Sequence, residues 1–524
     1  MRINIIITVV IMTLLCLSSS QTVAYEYQGN VGLGYIYTDI EGNQSVHQPT
    51  HNLYDGASFS LEKFRIKWDN GTRLNANIIN PNLNNRRLDL SINRSGFGGA
   101  TVRHSSYRRT YDFEGTDFTR RKATSGTVWL YPVKMLKLFA GYGITDKDGD
   151  RRDLFEPSED VLIAPVDYTH QNYHAGLEIK HHRSYGRFEY RVSDFSDDLN
   201  DTNNRSSQRL RMTVYSPMPM YENISFGGGF QRFEYKLENR SETLKSNTAW
   251  GVGQYMHPKG YQIRYSFMFD RTNRTGDLAA TDNIRQTVHI GKTWKGSGGL
   301  LAGYGHAIND DIRVERSGNE YSFSGWLTPV KKLTLRSGLG FAKDEIQSGR
   351  TLTGNRDYSR YWFLAHYRFT DGFARLRLDN RQRDNDDIGS SIDYIRLTAD
   401  ISHTIFDYGD IRTSYSFGDG KYTNSSGVFD FQEHVLSGDA FSKEYLGAQV
   451  GFGGNYYRSR QDEDVKAFTI QITGRYRIFR KTQLEVIYSV HNFDDFNDTT
   501  IPYNKYNTAN VVEARIIFEM KSED

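Results

Sequence analysis

The chain has 524 residues with 65 Lys and Arg against 63 Asp and Glu, a net charge of +2 that gives no global attraction to nucleic acid. Its mean hydropathy of −0.64 excludes a bundle of membrane-spanning helices. It does not exclude a transmembrane barrel, whose strands alternate lipid-facing and lumen-facing residues and so average out as hydrophilic.

In chain order, the first element is a leader. Arg2 precedes an apolar run, Ile5–Leu17, and Thr22-Val23-Ala24 supplies small residues for cleavage after Ala24. This is the pattern of a secretory signal over residues 1–24, leaving 25–524 as the mature chain. Cys16 is the only cysteine and departs with the leader, and Leu15 stands where a lipobox needs Gly or Ala. The mature chain is therefore expected to have no disulfide, no thiolate metal site and no haem attachment site.

Strand alternation begins at once near Tyr27, with no segment before it that would make a plug domain. It recurs to the end of the chain. Tyr261, Ile263, Tyr265, Phe267 and Phe269 share one face, and Gln262, Arg264, Ser266, Met268 and Asp270 the other. Leu333, Leu335, Leu339 and Phe341 oppose Thr334, Arg336, Gly338 and Gly340, and Phe468, Ile470 and Ile472 oppose Thr469, Gln471 and Thr473. Val512, Ala514, Ile516 and Phe518 form a last amphipathic strand, with Met520–Asp524 read as a tail. The pattern predicts about 26 strands, or 24 if Gly418–Ser442 does not contribute its share.

Connections alternate in length. Tight links fall near Asp69–Thr72, Tyr131–Met135, His182–Gly186, His257–Gly260, Lys295–Gly299, Pro329–Lys332 and Arg477–Gln483. Longer polar ones intervene, among them Asp39–Asp55, Ser105–Lys122, Asp146–Pro165, Lys343–Asp357 and Asn492–Lys505. Short periplasmic turns and long extracellular loops are the pattern of a large antiparallel β-barrel in the bacterial outer membrane. The ten prolines all fall in turns, loops or strand ends. One hairpin recurs: Thr127–Gly143, around Tyr-Pro-Val-Lys, resembles Phe323–Gly340, around Thr-Pro-Val-Lys.

Candidate chemistry is sparse. Asp146-Lys-Asp-Gly-Asp150 opens like a calcium loop, but its Gly149 comes too early and the twelfth position is Pro157, so residues 146–153 read first as a solvated acidic loop. Asp384–Asp387 and Asp462–Asp464 read as loop charges facing lipopolysaccharide. His181 and His182 are adjacent, and on a strand their rings would diverge. No nucleophile elbow, P-loop or dinucleotide fingerprint occurs, so the chain is read as a non-enzyme with no catalytic, cofactor or metal residues. By parity the lumen carries Lys137, Arg264, Arg336, Arg375, Arg377, Arg396, Arg475, Arg477 and Arg515 with Asp270, Asp379 and Glu485.

With the leader, the strand count and the Pro-Val-Lys hairpins in view, the chain resembles the MtrB/PioB family, porin components of porin–cytochrome conduits. The resemblance implies a barrel that sheathes a multihaem c-type cytochrome and passes electrons across the outer membrane in extracellular respiration. Haem would then reside only in that partner, and the other contacts would be lipid and lipopolysaccharide. The alternative from the residues themselves is a solute-diffusion porin constricted by its own loops, Asp146–Pro165 and Ser105–Lys122 being long enough to fold inward. A soluble β-rich protein is the reading from a different class.

Overall fold

The computed structural model describes residues 25–42, 55–110, 118–152, 163–218, 221–238, 242–275, 280–311, 314–349, 355–385, 389–405, 408–424, 427–461, 464–495 and 507–522. The leader 1–24 lies outside them. The described strands are β1 (Tyr25–Glu41), β2 (Gly56–Trp68), β3 (Thr72–Ile79), β4 (Arg87–Arg94), β5 (Gly98–Thr110), β6 (Phe118–Val133), β7 (Leu136–Arg152), β8 (Ile163–His181) and β9 (Ser184–Asp197). There follow β10 (Arg205–Met218), β11 (Tyr221–Leu237), β12 (Glu242–Met256), β13 (Tyr261–Arg274), β14 (Thr281–Trp294), β15 (Gly298–Asp311), β16 (Val314–Val330) and β17 (Leu333–Gly349). The ring ends with β18 (Arg356–Phe369), β19 (Gly372–Asn385), β20 (Ser390–Ile405), β21 (Gly409–Asn424), β22 (Gly427–Ser442), β23 (Ala448–Gln461), β24 (Val465–Phe479), β25 (Thr482–Asp495) and β26 (Asn507–Lys521).

Each strand pairs antiparallel with the next, and β1 pairs with β26 from Gln28↔Lys521 to Glu41↔Thr508, closing one 26-stranded barrel. Closure satisfies every ladder without leaving an edge, which is what a strand-built wall in hydrocarbon requires. The uncertain stretch Gly418–Ser442 supplies the last part of β21 and the whole of β22, which pair over their full length, so the count is 26 and not 24. Met520 and Lys521 also belong to the last strand, correcting the tail expected there.

The two faces sort as the alternation predicts. Tyr261, Ile263, Tyr265 and Phe267 stand exposed on the outer face of β13, and Leu33, Tyr35 and Tyr37 do so on β1. Exposed apolar residues of this density belong against lipid. Even the one apolar cluster of buried described residues, Ile92 and Ala100 with Leu74 and Val128, lies on the outer face by register; a barrel wall has no interior core.

The links at one end span two to five residues, while those at the other reach fourteen. Several expected extracellular loops are shorter than the sequence implies, because the strands run on past the membrane. Asp146–Asp150 lies within β7, paired to both β6 and β8, and is not a loop. Above the bilayer both faces of a strand are wet, so the alternation that marks a strand fades while its backbone ladder continues. Residues 111–117 and 153–162, proposed to fold inward, lie outside the described residues.

The recurring hairpin has a shared geometry. β6–β7 and β16–β17 both slip register at the same place, Leu130/Val133 and Leu327/Val330. Pro132 and Pro329 sit in those gaps and have no N–H to give the ladder. In each, the residue before the proline donates instead to the turn one hairpin back: Tyr131 N to Phe97 O at 2.8 Å, Thr328 N to Ser297 O at 2.7 Å.

Candidate functional site: the lumen wall

The inward face is built around carboxylates that the wall itself buries. Asp379 on β19 is only 4% exposed and accepts from Arg360 of the neighbouring β18 and from Arg377 and Arg381, two residues either side on its own strand. Period-two spacing puts all three β19 side chains on one face, and the register Arg381↔Arg360 brings the fourth beside them. Glu485 on β25 is 1% exposed and lies 2.5 Å from both Arg475 Nε on β24 and Arg515 Nε on β26. Glu189 on β9 takes Arg187 and Arg191 from its own strand and Arg209 from β10. Arg187 also donates to Glu178 at 2.9 Å, and Lys137 approaches Glu178 at 3.8 Å.

An isolated carboxylate would not be buried; these are held because several guanidinium groups satisfy their oxygens. The Asp379 and Glu189 centres leave surplus positive charge toward the lumen, whereas at Glu485 two arginines, Arg475 and Arg515, are matched by Glu485 and Glu62. Around Asp379 five cations, Arg360, Arg375, Arg377, Arg381 and Arg396, stand with three acids, Asp379, Asp400 and Glu433. The arginines themselves are locked in position, which makes the wall a preorganised polar surface.

The inward residues expected from parity that have ionic partners find them on this face, except Arg477, whose partner Glu444 lies in the β22–β23 turn. Arg377 meets Asp379, Arg475 and Arg515 meet Glu485, Arg375 meets Asp400, and Arg477 meets Glu444 at 2.6 Å. Asp270 instead accepts from the hydroxyls of Ser246 and Thr248 at 2.7 and 2.6 Å. Arg336 stands opposite Trp326 in the ladder and Arg264 opposite Gln254. Sequence reasoning missed Arg360, Arg381, Glu178 and Glu189, whose strands carry the same alternation and could have been read the same way.

It also missed the tryptophans. Trp129, Trp250, Trp326 and Trp362 face inward, each laid over a glycine of the adjacent strand: Gly99, Gly229, Gly299 and Gly338. A Cβ on Gly338 would come within 2.6 Å of the Trp362 ring, so only glycine leaves room for the indole to lie flat. The signal was in the repeated hairpin, where Trp129 and Trp326 occupy equivalent places.

Asp146, Asp148 and Asp150 share the outer face of β7 by parity, with Asp146 accepting from Thr169 Oγ1 at 3.1 Å, and among the described residues no group of three His, Cys, Asp or Glu could hold a metal ion. Asp464 pairs with Arg458, while Asp462, Asp386 and Asp387 lie outside the described residues. His181 and His182 do not diverge as expected. A φ of +52° at His182 turns the chain back, and the two rings meet edge to face with centroids 4.2 Å apart.

No family model matches the chain, and no curated protein matches it. Solved structures do. The siderophore receptor PirA from Acinetobacter baumannii superposes with a TM-score of 0.57 at 8% identity, covering 96% of this chain and 81% of that one. A mutant of the ferric enterobactin receptor PfeA from Pseudomonas aeruginosa gives 0.55 at 8% identity over 96% and 81%. The FrpB iron transporter from Neisseria meningitidis gives 0.52 at 9% identity over 97% and 82%. At these identities the likeness is one of fold. This chain is an outer-membrane β-barrel. The comparisons carry neither membership of the MtrB/PioB family nor a cytochrome partner, and those readings stand as proposals.

Proposed function

We propose that this barrel is a sheath: its lumen holds a separately encoded, folded multihaem c-type cytochrome, and the pair carries electrons across the outer membrane. The observation that supports this best is the closed ring of 26 strands. Strands about 4.8 Å apart and tilted about 40° give a backbone diameter of roughly 50 Å, and side chains reduce the bore to roughly 30–40 Å. A hole of that width, left open, would defeat the membrane as a barrier, and it is wide enough for a small folded protein. The lining fits such an occupant, since ordered arginines and inward tryptophans are the residue types that protein interfaces favour. The Pro-Val-Lys hairpins, through which the chain resembles MtrB/PioB barrels, point to the haem-bearing kind of occupant.

The test is purification of the barrel from its own membranes in mild detergent. A haem-staining protein should accompany it in near-stoichiometric amount. Liposomes carrying the complex should pass electrons from an internal dye to an external acceptor. A barrel that purifies alone, free of haem, with stable open-channel conductance and small-solute uptake would be a solute-diffusion porin, and the sheath reading would fall.

A further inference from the structure

The described links at the two ends of the barrel differ in charge. In the described short links at the periplasmic end, nine residues are cationic, including Lys134, Lys259, Lys295, Lys331, Lys332 and Lys481, against three acids, Asp69, Asp371 and Glu444. In the described links at the opposite end the balance reverses: Asp55, Asp198, Asp201, Glu238 and Asp464 against Arg86. Among the described link residues, then, the periplasmic end is basic and the opposite end acidic.

One arc of the periplasmic rim is also apolar. Tyr408, Tyr445, Leu446 and Phe479 are 77%, 76%, 83% and 69% exposed, more than any other large hydrophobic residue described. Tyr408, Tyr445 and Leu446 lie on two successive periplasmic links, and Phe479 is the last residue of β24 beside them. Lys443 N donates to Tyr408 O at 2.8 Å and Arg477 N to Gly447 O at 2.7 Å, tying the links side by side. Tyr445 and Ala448 exchange backbone hydrogen bonds across a two-residue turn in which Leu446 and Gly447 have φ of +50° and +81°. That turn favours Asn, Asp or Gly at its first central position, whereas a branched apolar side chain is strained there. Leu446 thus sits in an unfavourable backbone conformation with its side chain in water.

Lipid does not account for the patch. Outward Trp68 and Trp294 end their strands, as Phe479 ends β24, where interfacial aromatics belong, whereas Tyr408 occupies the turn before β21 and Tyr445 and Leu446 the turn between β22 and β23. An apolar centre flanked by Lys443, Arg480 and Lys481, with the one acid of that turn, Glu444, paired to Arg477, has the makeup of a protein-docking surface, with an anchor in the middle and charge at the edge.

We propose that the periplasmic rim is a docking surface for a soluble periplasmic protein that presents an acidic face, with Tyr408, Tyr445 and Leu446 as its apolar anchor. The basic ring steers that protein to the barrel mouth. The surface lies outside the lumen, and the inference stands whatever the lumen holds.

The test uses the whole barrel in nanodiscs of phosphatidylcholine, which expose both rims and carry no net lipid charge. Succinylated lysozyme serves as an acidic folded probe and unmodified lysozyme as its basic control. The acidic probe should bind saturably and the basic one should not. Lys331→Glu, Lys332→Glu, Arg480→Glu and Lys481→Glu together should weaken binding about tenfold or more, as should raising the salt to about 0.5 M. Tyr445→Ser with Leu446→Asn should weaken it several-fold without a change in rim charge. The reversals Asp55→Lys, Asp198→Lys, Asp201→Lys and Glu238→Lys at the other rim should leave it intact. The proposal is overturned if both probes bind alike, if neither binds, or if reversals at the two rims act equally. It is equally overturned if a photo-crosslinker on Leu446→Cys labels lipid and never the bound probe.

Discussion

Arg360 of β18 grips Asp379 of β19 with both prongs of its guanidinium, Nε 3.3 Å from one carboxylate oxygen and Nη2 2.6 Å from the other. The two lie nineteen positions apart across a hairpin, and Arg377 and Arg381 complete the cage. The contact makes a strong prediction because only the carboxylate is buried.

Asp379→Asn removes the charge that three guanidinium groups share, while their partly exposed heads remain solvated. Refolding into liposomes followed by urea titration should show a loss of about 1–2 kcal/mol, between the values for an exposed and a fully buried pair because water screens the arginines. Asp400→Asn, whose partner Arg375 is half exposed, should lose less. Equal losses at the two positions would mean that the Asp379 cage is not a structural centre.

The assignment of faces is tested on β13. Phe267→Arg puts a charge against lipid and should cost roughly 2–4 kcal/mol in bilayer folding if it lies near the midplane. Met268→Arg, one residue on, enters the lumen and should be tolerated. The two variants behaving alike would invert or abolish the register. Thr473 is a poor control for such a test, since it is buried in the wall and an arginine there would be crowded.

Orientation in the membrane follows from the links. A cysteine at Asn200, in the link between β9 and β10, should react with an impermeant maleimide on intact cells. One at Lys332, in the turn between β16 and β17, should react only after the outer membrane is permeabilised. Reversed labelling would turn the barrel over, and with it the basic rim.

The closing seam depends on missing side chains. A Cβ on Gly34 would lie 2.6 Å from Arg515 Cβ and 2.3 Å from the Ala514 carbonyl. Gly34→Val should therefore displace β26 locally and loosen the contact of Arg515 with Glu62, at about 1–3 kcal/mol. Heat-modifiable gel migration at a lower temperature than wild type would register it, and an unchanged transition would mean the seam is not tight there.

The sequence by itself determined the wall. Period-two alternation, glycine and proline punctuation and the segregation of short and long links are local properties, and they led to a closed-barrel topology with the correct strand faces at Tyr261–Asp270 and Phe468–Ile478. Where both faces are wet the local signal fails, and this is why Asp146–Asp150 reads as a loop although it is strand. Only the tertiary structure decided what meets what. Glu62 and Arg515, 453 positions apart, bond at 2.8 Å because closure brings β26 to β1 and the bare Gly32 and Gly34 let a side chain of β2 reach across. The carboxylate cages, the tryptophans over glycines and the exposed apolar residues on two neighbouring turns likewise depend on inter-strand register. Register is set by the closed ring as a whole, since a slip of one residue anywhere would turn that strand's inward charges to the lipid.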